Sequence, residues 1–397
     1  MARLLLVSTA EKGHLNPLVG VAQHLVRAGH HVGWLCMPMA VPGLSSLGVE
    51  PLSLPEGTPS PSLVKGGIGL ANLVRDPSAL RGWIQTLLLD AVPAQIEPLR
   101  SVLRSFRPDA VGTDPMLYQA IIAAHLERIP YACISSSLNP VTPDDWDCEL
   151  VRTVRSLSSA RRALFASYGL DPIFRVCDAL SPELNTVFTT DAYVDSSELP
   201  AATHLVGPSR PMGERGDETR FPWERIDVSV PLVYCSFGSQ ISYQPEAFAR
   251  VASAVSSLSA QLVISAGADL GASFGATLPG RVIAAEYVPQ LELLGRTSVF
   301  ISHGGANSVA EALTAGVPLL LSPVCNDQFL QARFLERAGA GLVLDLERAS
   351  TEEIVGALRK LLEPRGAHRE ALARISASYR ANDGARRTAE LLAELAS

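Results

Sequence analysis

Residues 287–328 read YVPQLELLGRTSVFISHGGANSVAEALTAGVPLLLSPVCNDQ. Ser298–Ser302 is short, apolar and rich in β-branched residues, as a buried strand is. His303-Gly304-Gly305 follows as a turn, and Asn307-Ser308 opens a pattern with Val309, Leu313 and Val317 at helix-like spacing. Gly316 stands where a helix-ending glycine is expected and Pro318 blocks continuation, so Leu319–Leu321 reads as the next strand. Strand, glycine turn, helix, strand is the βαβ unit of a parallel sheet.

A glycine-opened helix N-terminus at the carboxyl edge of such a sheet offers unpaired N–H groups and a positive dipole, which suits a pyrophosphate. His303, Asn307 and Ser308 add side-chain donors at the same end. Glu311 lies one turn further on, roughly on their face; it would repel a phosphate but can accept both hydrogens of a ribose diol. Asp327-Gln328, after the following strand, suits the hydroxyls of a sugar. The set fits a nucleotide-sugar better than a bare nucleotide.

The segment resembles the donor-binding signature of the family 1 (UDP-glycosyltransferase) enzymes, of the bacterial natural-product and macrolide type. The matching elements are Tyr287, Pro289 and Gln290, then His303-Gly304-Gly305, Asn307-Ser308, Glu311, Gly316-Val317-Pro318, Pro323 and Asp327-Gln328. A lone His-Gly-Gly would say little, but this ordered set spans some forty residues. The resemblance implies an α/β chain with the GT-B fold: two Rossmann-like, doubly wound parallel-sheet domains facing across a cleft. It also implies that Tyr287, Val288, Gln290, His303, Gly305, Asn307, Ser308, Glu311, Asp327 and Gln328 line the donor site. Where plant relatives stack tryptophan on the base, this chain has Tyr287, which also stacks.

Composition agrees with a two-domain enzyme. A chain of 397 residues is too long for one ordinary core. With 47% hydrophobic and 18% charged residues it packs rather than staying disordered. A formal net charge of −7 gives no support to a nucleic-acid partner. The six cysteines are scattered, with no C-x-x-C pair, which favours reduced thiols over disulfides or a zinc site. The N-terminal apolar run stops at Val7, too soon for a signal peptide, and no stretch approaches the roughly 18–20 apolar residues of a membrane span. A cytoplasmic protein is expected, a monomer or weak homodimer.

The N-terminal half repeats the same logic. Arg3–Ser8 reads as a strand, Gly13-His14-Leu15-Asn16-Pro17 as a turn, Leu18 to Val26 as a helix closed by Gly29, and His31–Cys36 as the next strand. Taken alone, His14 is either a polar cap for that helix or a base. In the family the histidine of this Gly-His-x-x-Pro turn deprotonates the acceptor, a task suited to an ordinary histidine pKa of about 6.5. Such a histidine needs a carboxylate to hold its tautomer. Asp114, at the carboxyl end of the Ala110–Thr113 strand, matches the family's partner aspartate; Asp109 starts that strand, at the wrong edge.

Between residues 50 and 99, a Pro/Ser/Gly-rich loop (Pro55–Pro61, Lys65–Gly69) precedes apolar-periodic helices that would wall an acceptor pocket. Trp83, Trp146 and Phe165 face that pocket or simply pack. Asp144-Asp145-Trp146-Asp147 contains an Asp-x-Asp, a metal motif in a different fold; here it sits in a loop and is discounted. Tyr131–Ser135, Phe188–Thr190 and His204–Val206 read as further strands, and Gly207–Glu224 has linker composition. The expected organisation is residues 1–206 for the acceptor domain, 207–224 for the linker and 225–380 for the donor domain. A closing helix over 381–397 would cross back onto the first domain. Pro231–Cys235 opens the second domain, and Gly238 and Ser239 resemble the family's Gly-Ser turn, where the lack of a Cβ lets backbone approach phosphates. Gly13 is also expected at the donor site.

The expected activity is inverting transfer of a sugar, first of all glucose, from a UDP-sugar to a hydroxyl of a lipophilic small molecule, with no metal or cofactor. His14 is the expected base and Asp114 orients it. Three alternatives stand beside it. A dTDP-deoxysugar transferase is disfavoured by Glu311. A UDP-N-acetylglucosamine epimerase-type enzyme should lack a base at the Gly-His-x-x-Pro turn. A non-catalytic nucleotide-sugar sensor would tolerate loss of the His14/Asp114 pair.

Overall fold

The computed structural model describes residues 1–37, 43–59, 66–195, 198–213, 215 and 220–397. Residues 60–65 of the Pro/Ser/Gly-rich loop, and 214 and 216–219 of the linker stretch, lie outside the described residues.

Two parallel sheets organise the chain. The first contains β1 (Arg3–Thr9), β2 (His31–Met37), β3 (Glu50–Leu52), β4 (Ala110–Thr113), β5 (Tyr131–Ser135), β8 (Leu184–Val187) and β9 (Thr203–Leu205), in the order β3-β2-β1-β4-β5-β8-β9. A small antiparallel pair, β6 (Phe174–Arg175) and β7 (Asp178–Ala179), stands apart. The second sheet contains β10 (Leu232–Ser236), β11 (Gln261–Ser265), β12 (Val282–Ala285), β13 (Val299–Ser302), β14 (Leu319–Leu321) and β15 (Gly341–Val343), in the order β12-β11-β10-β13-β14-β15. Their central strands read as unbroken apolar runs because helices cover both faces: Leu4, Leu5, Leu6, Val299, Phe300 and Ile301 are all fully buried. Each sheet reverses its winding once, at β1/β4 and at β10/β13, and a crevice opens at the carboxyl end of each reversal.

Several expectations shift on inspection. The Gly13–Pro17 segment is not a turn; it forms the start of a helix running Lys12–Arg27, with Pro17 inside it. Pro17 has no N–H, so the Gly13 carbonyl four residues earlier receives no bond from the helix itself. The strand expected at Phe188–Thr190 ends earlier, at Val187, and Thr189 instead bonds the Tyr379 hydroxyl at 2.8 Å. The closing helix forms as one element, Gly384–Leu395, and a separate helix, His368–Ala381, precedes it. Asp383 divides them by capping the second, accepting the Arg386 N–H at 3.1 Å. That last helix packs on the Lys12–Arg27 helix and on β4, β5 and β8, and Leu392 joins Leu6 and Ile134 in one core. All six cysteines are buried free thiols. Among the described residues, no helix is long and apolar enough to cross a membrane.

The return of the chain onto the first sheet depends on missing side chains. A Cβ on Gly384 would overlap the Gly207 carbonyl, and one on Gly20 would overlap the Arg210 carbonyl and crowd Ala385. Gly20→Val is therefore expected to cost about 1–3 kcal/mol. A lowered urea midpoint at unchanged slope is the predicted readout, and a wild-type midpoint would mean that the 207–210 backbone yields freely.

Candidate functional site at the facing switch points

His14 leaves the carboxyl end of β1 and Asp114 that of β4, the two strands flanking the first switch point. His14 Nδ1 lies 2.5 Å from Asp114 Oδ2 and 3.1 Å from Ser136 Oγ. The other Asp114 oxygen accepts the Met116 N–H at 2.9 Å, so the carboxylate is held from both sides. With Nδ1 engaged, Nε2 is the ring nitrogen left for the cavity that His14 lines. Burial by itself would lower the imidazole pKa. The Asp114 charge and hydrogen bond outweigh it and lift the value to about 9. The ordinary value near 6.5 expected from sequence is thus corrected: paired with Asp114, the ring holds its proton to higher pH than a free imidazole.

Beneath this pair lies a second buried carboxylate. Asp178 accepts from Ser135 Oγ at 2.6 Å and from Asn139 Nδ2 at 2.7 Å, pinning both ends of the turn that presents Ser136 to His14. Its burial pushes its pKa up to about 7. Sequence reading missed it, since a β-bridge residue in a two-residue strand carries no local signal.

The second switch point supplies the other wall. β10 and β13 end alike: Ser236 Oγ accepts the Gly238 N–H and Ser302 Oγ accepts the Gly304 N–H, each at 3.2 Å. His303 is wedged between Gly238 and Gly305, where a Cβ on either glycine would lie within 2.7 Å of the ring. Burial lowers the His303 pKa to about 4, against the opposing pull of the Ser236 carbonyl, so the ring is neutral. The helix that follows runs Ala306–Ala315 with Gly305 as its cap residue, leaving no side chain to satisfy its first N–H groups.

The structure brings Gly13, His14, Gly238, Ser239, Tyr287, Val288, Gln290, His303, Gly305, Asn307, Ser308, Glu311, Asp327 and Gln328 to one cavity of about 640 Å3. Asp114 stands behind His14. Several of these side chains are already engaged. Asn307 Nδ2 donates across the cleft to the Gly13 carbonyl at 2.9 Å, the carbonyl that Pro17 leaves open. Glu311 accepts from Gln290 Nε2 at 2.7 Å and pairs with Arg215 at 2.8 Å, a pair only 15% and 8% exposed. Gln328 Oε1 accepts the Val324 and Cys325 N–H groups at 2.9 and 3.0 Å, so that oxygen staples its own loop and does not read a sugar. Lys12 Nζ sits 3.8 Å over the ring of Tyr287, the side chain expected to stack a base.

Lys12 and Arg215 escaped the sequence reading. Arg215 sits in a stretch of linker composition, and only the tertiary fold lays it over Glu311. Of the three aromatics weighed for the acceptor pocket, Trp83 lines the cavity. Trp146 packs instead on Phe334 at 4.6 Å, and Phe165 sits in the core against Tyr118 at 5.1 Å. The Asp-x-Asp residues Asp144 and Asp147 are ion-paired to Arg175 and Arg152.

Comparison with known proteins follows the same lines. Residues 226–380 match the family model described as UDP-glucoronosyl and UDP-glucosyl transferase. The chain is 24% identical to the uncharacterized UDP-glucosyltransferase YojK of Bacillus subtilis (strain 168), over 99% of this chain and 97% of that protein. It is 26% identical to the oleandomycin glycosyltransferase of Streptomyces antibioticus, over 98% and 90% respectively. The crystal structure of the kitacinnamycin glycosyltransferase superposes with a TM-score of 0.80 at 22% identity, covering 100% of this chain and 99% of that one. Two doubly wound domains, the donor signature and relatives aligned over nearly the whole chain agree: the chain has the GT-B fold, and its residues 226–380 match the family 1 glycosyltransferases.

Proposed function

We propose that this glycosyltransferase moves a sugar, glucose first, from a UDP-sugar to a hydroxyl of a lipophilic small molecule of natural-product type, with inversion at the anomeric carbon. The observation that carries the reading is the 2.5 Å His14–Asp114 pair set in the same cavity as the open N-terminus of the Ala306–Ala315 helix. His14 Nε2 takes the acceptor hydroxyl proton as the oxygen attacks the anomeric carbon from the face opposite the nucleotide. The bond from that carbon to the diphosphate breaks, and UDP leaves with the electron pair. Charge on the departing diphosphate falls on the N–H groups of residues 306–308, with Lys12 and Arg215 as the cations lining the cavity. A diphosphate beside His303 would raise that imidazole's pKa from its buried value and favour its donor form. The acceptor end is walled by Met37, Leu70, Ile84, Leu87 and Leu88, which supports an apolar acceptor.

The pH dependence follows from the His14 pair. Its raised pKa means that the base form grows as pH rises through about 9, so kcat/KM should climb from pH 7 toward that value. Asp114→Asn removes the largest raising influence and should shift the limb to lower pH while reducing the plateau rate. His14→Ala should abolish transfer and leave UDP affinity near wild type; turnover at the wild-type rate would remove His14 from the mechanism.

A dTDP-sugar reading keeps one observation in its favour. Both Glu311 oxygens are engaged in the closed cleft, and a donor lacking the 2′-OH would not need to disturb them. Calorimetric titration of UDP, deoxy-UDP and deoxythymidine diphosphate, in chelator, separates the two. Tighter UDP binding by about 1 kcal/mol is expected from the added contact. Equal affinities would move the donor to deoxy-sugars. Transfer rates should be unchanged by chelator, and a rate restored only by added divalent cation would contradict metal-free stabilisation of the diphosphate.

A further inference from the structure

We propose that the acceptor end of the cavity recognises a second hydrogen-bond donor on the acceptor, a hydroxyl or N–H distinct from the one that reacts, through Gln119 Oε1. The inference rests on the glycosyl-acceptor reading of this cavity. Gln119 lies five residues beyond Asp114, in the first turn of the Tyr118–Leu126 helix, and lines the same cavity as His14.

Its orientation is set by a chain of amides. The Pro59 carbonyl is the start of the chain, and a carbonyl oxygen can only accept. Gln95 Nε2 donates to it at 3.1 Å, which turns Gln95 Oε1 toward Gln119. Gln119 Nε2 donates to that oxygen at 2.8 Å, and its amino group also faces the Met37 thioether at 4.0 Å. Rotating either amide would set two oxygens against each other. Gln119 Oε1 is therefore held as an acceptor; among the described residues it has no partner, and it is sealed from solvent, so an acceptor molecule reaches it by parting the side chains around it.

A buried amide oxygen without a partner is unfavourable, and an acceptor carrying a suitably placed donor relieves it. Apolar side chains share the lining of this cavity, Met37, Leu70, Leu88 and Met116 among them, and Met37 faces Gln119 directly. Trp83 Nε1, likewise buried and without a partner among the described residues in the lining of the cavity, can only donate, so an ether or carbonyl oxygen on the acceptor would suit it. The chemical class is thus an apolar molecule with at least two hydroxyl or N–H groups, such as a polyphenol, in preference to a monohydroxylated one.

The test measures binding, independently of turnover. The full-length protein saturated with UDP is titrated calorimetrically with a series of dihydroxynaphthalene isomers and dihydroxybiphenyl, each beside its monomethyl ether. At least one diol is expected to bind about tenfold more tightly than its ether. In Gln119→Met the ratio should fall to about one, with an unchanged UDP affinity reporting an intact fold. Gln95→Met, which frees Gln119 to rotate, should narrow the ratio. Diols and ethers that bind within about twofold in the wild type, or a ratio that survives Gln119→Met, would overturn the assignment, as would failure of every probe to bind. Diol preference without sugar transfer from any nucleotide-sugar would instead leave Gln119 in place and sink the transferase reading.

Discussion

The hydrogen bond from Asn307 to the Gly13 carbonyl joins the two halves of the molecule at the point where their chemistry meets. It exists because Pro17 contributes no N–H to the Lys12–Arg27 helix, leaving one carbonyl in the first turn without its usual partner. The bond ties the first turn of the helix carrying His14 to the first turn of the helix whose open N-terminus reaches the same cavity. In a parallel sheet, strand carboxyl ends and helix N-termini lie at one edge. Facing two such edges toward each other puts a histidine–aspartate pair and an open helix N-terminus at one cavity without any loop being specially shaped.

Electrostatics then divides the cavity. On one side, Asp114 raises the pKa of His14; on the other, burial between two glycines keeps His303 neutral. Two buried histidines of one chain thus move in opposite directions, because only one of them has a carboxylate partner to outweigh its burial. The few cations lining the cavity are borrowed from elsewhere: Lys12 from the first sheet's helix, resting on Tyr287, and Arg215 from the connection between sheets, resting on Glu311. In the proposed reaction, a nucleotide entering this cleft competes with those contacts.

The part of the cavity proposed to take the acceptor follows a different rule. Apolar side chains share its lining with Gln119 Oε1 and Trp83 Nε1, two buried polar atoms that have no hydrogen-bond partner among the described residues. The Pro59–Gln95–Gln119 amide chain gains direction from a single carbonyl that cannot donate. The Asp178 network likewise orders the 135–139 turn from beneath and so positions Ser136 against His14.

Local sequence determined much of this protein. The 287–328 segment specified strand, turn, helix and strand nearly to the residue, because apolar runs and a C-terminal glycine report burial and capping directly. The same signals located Gly-His-x-x-Pro and Asp114 at strand ends, though not the helical start that Pro17 modifies. Tertiary structure alone decided the rest. Engagement of Glu311 by Arg215, of Tyr287 by Lys12 and of Asn307 by Gly13 joins residues about 100 to 300 positions apart, and no periodicity in the chain records such pairings. The opposite pKa shifts of His14 and His303 likewise arise only in the folded sheets, where β4 brings Asp114 to His14 and where Gly238 and Gly305 close around His303.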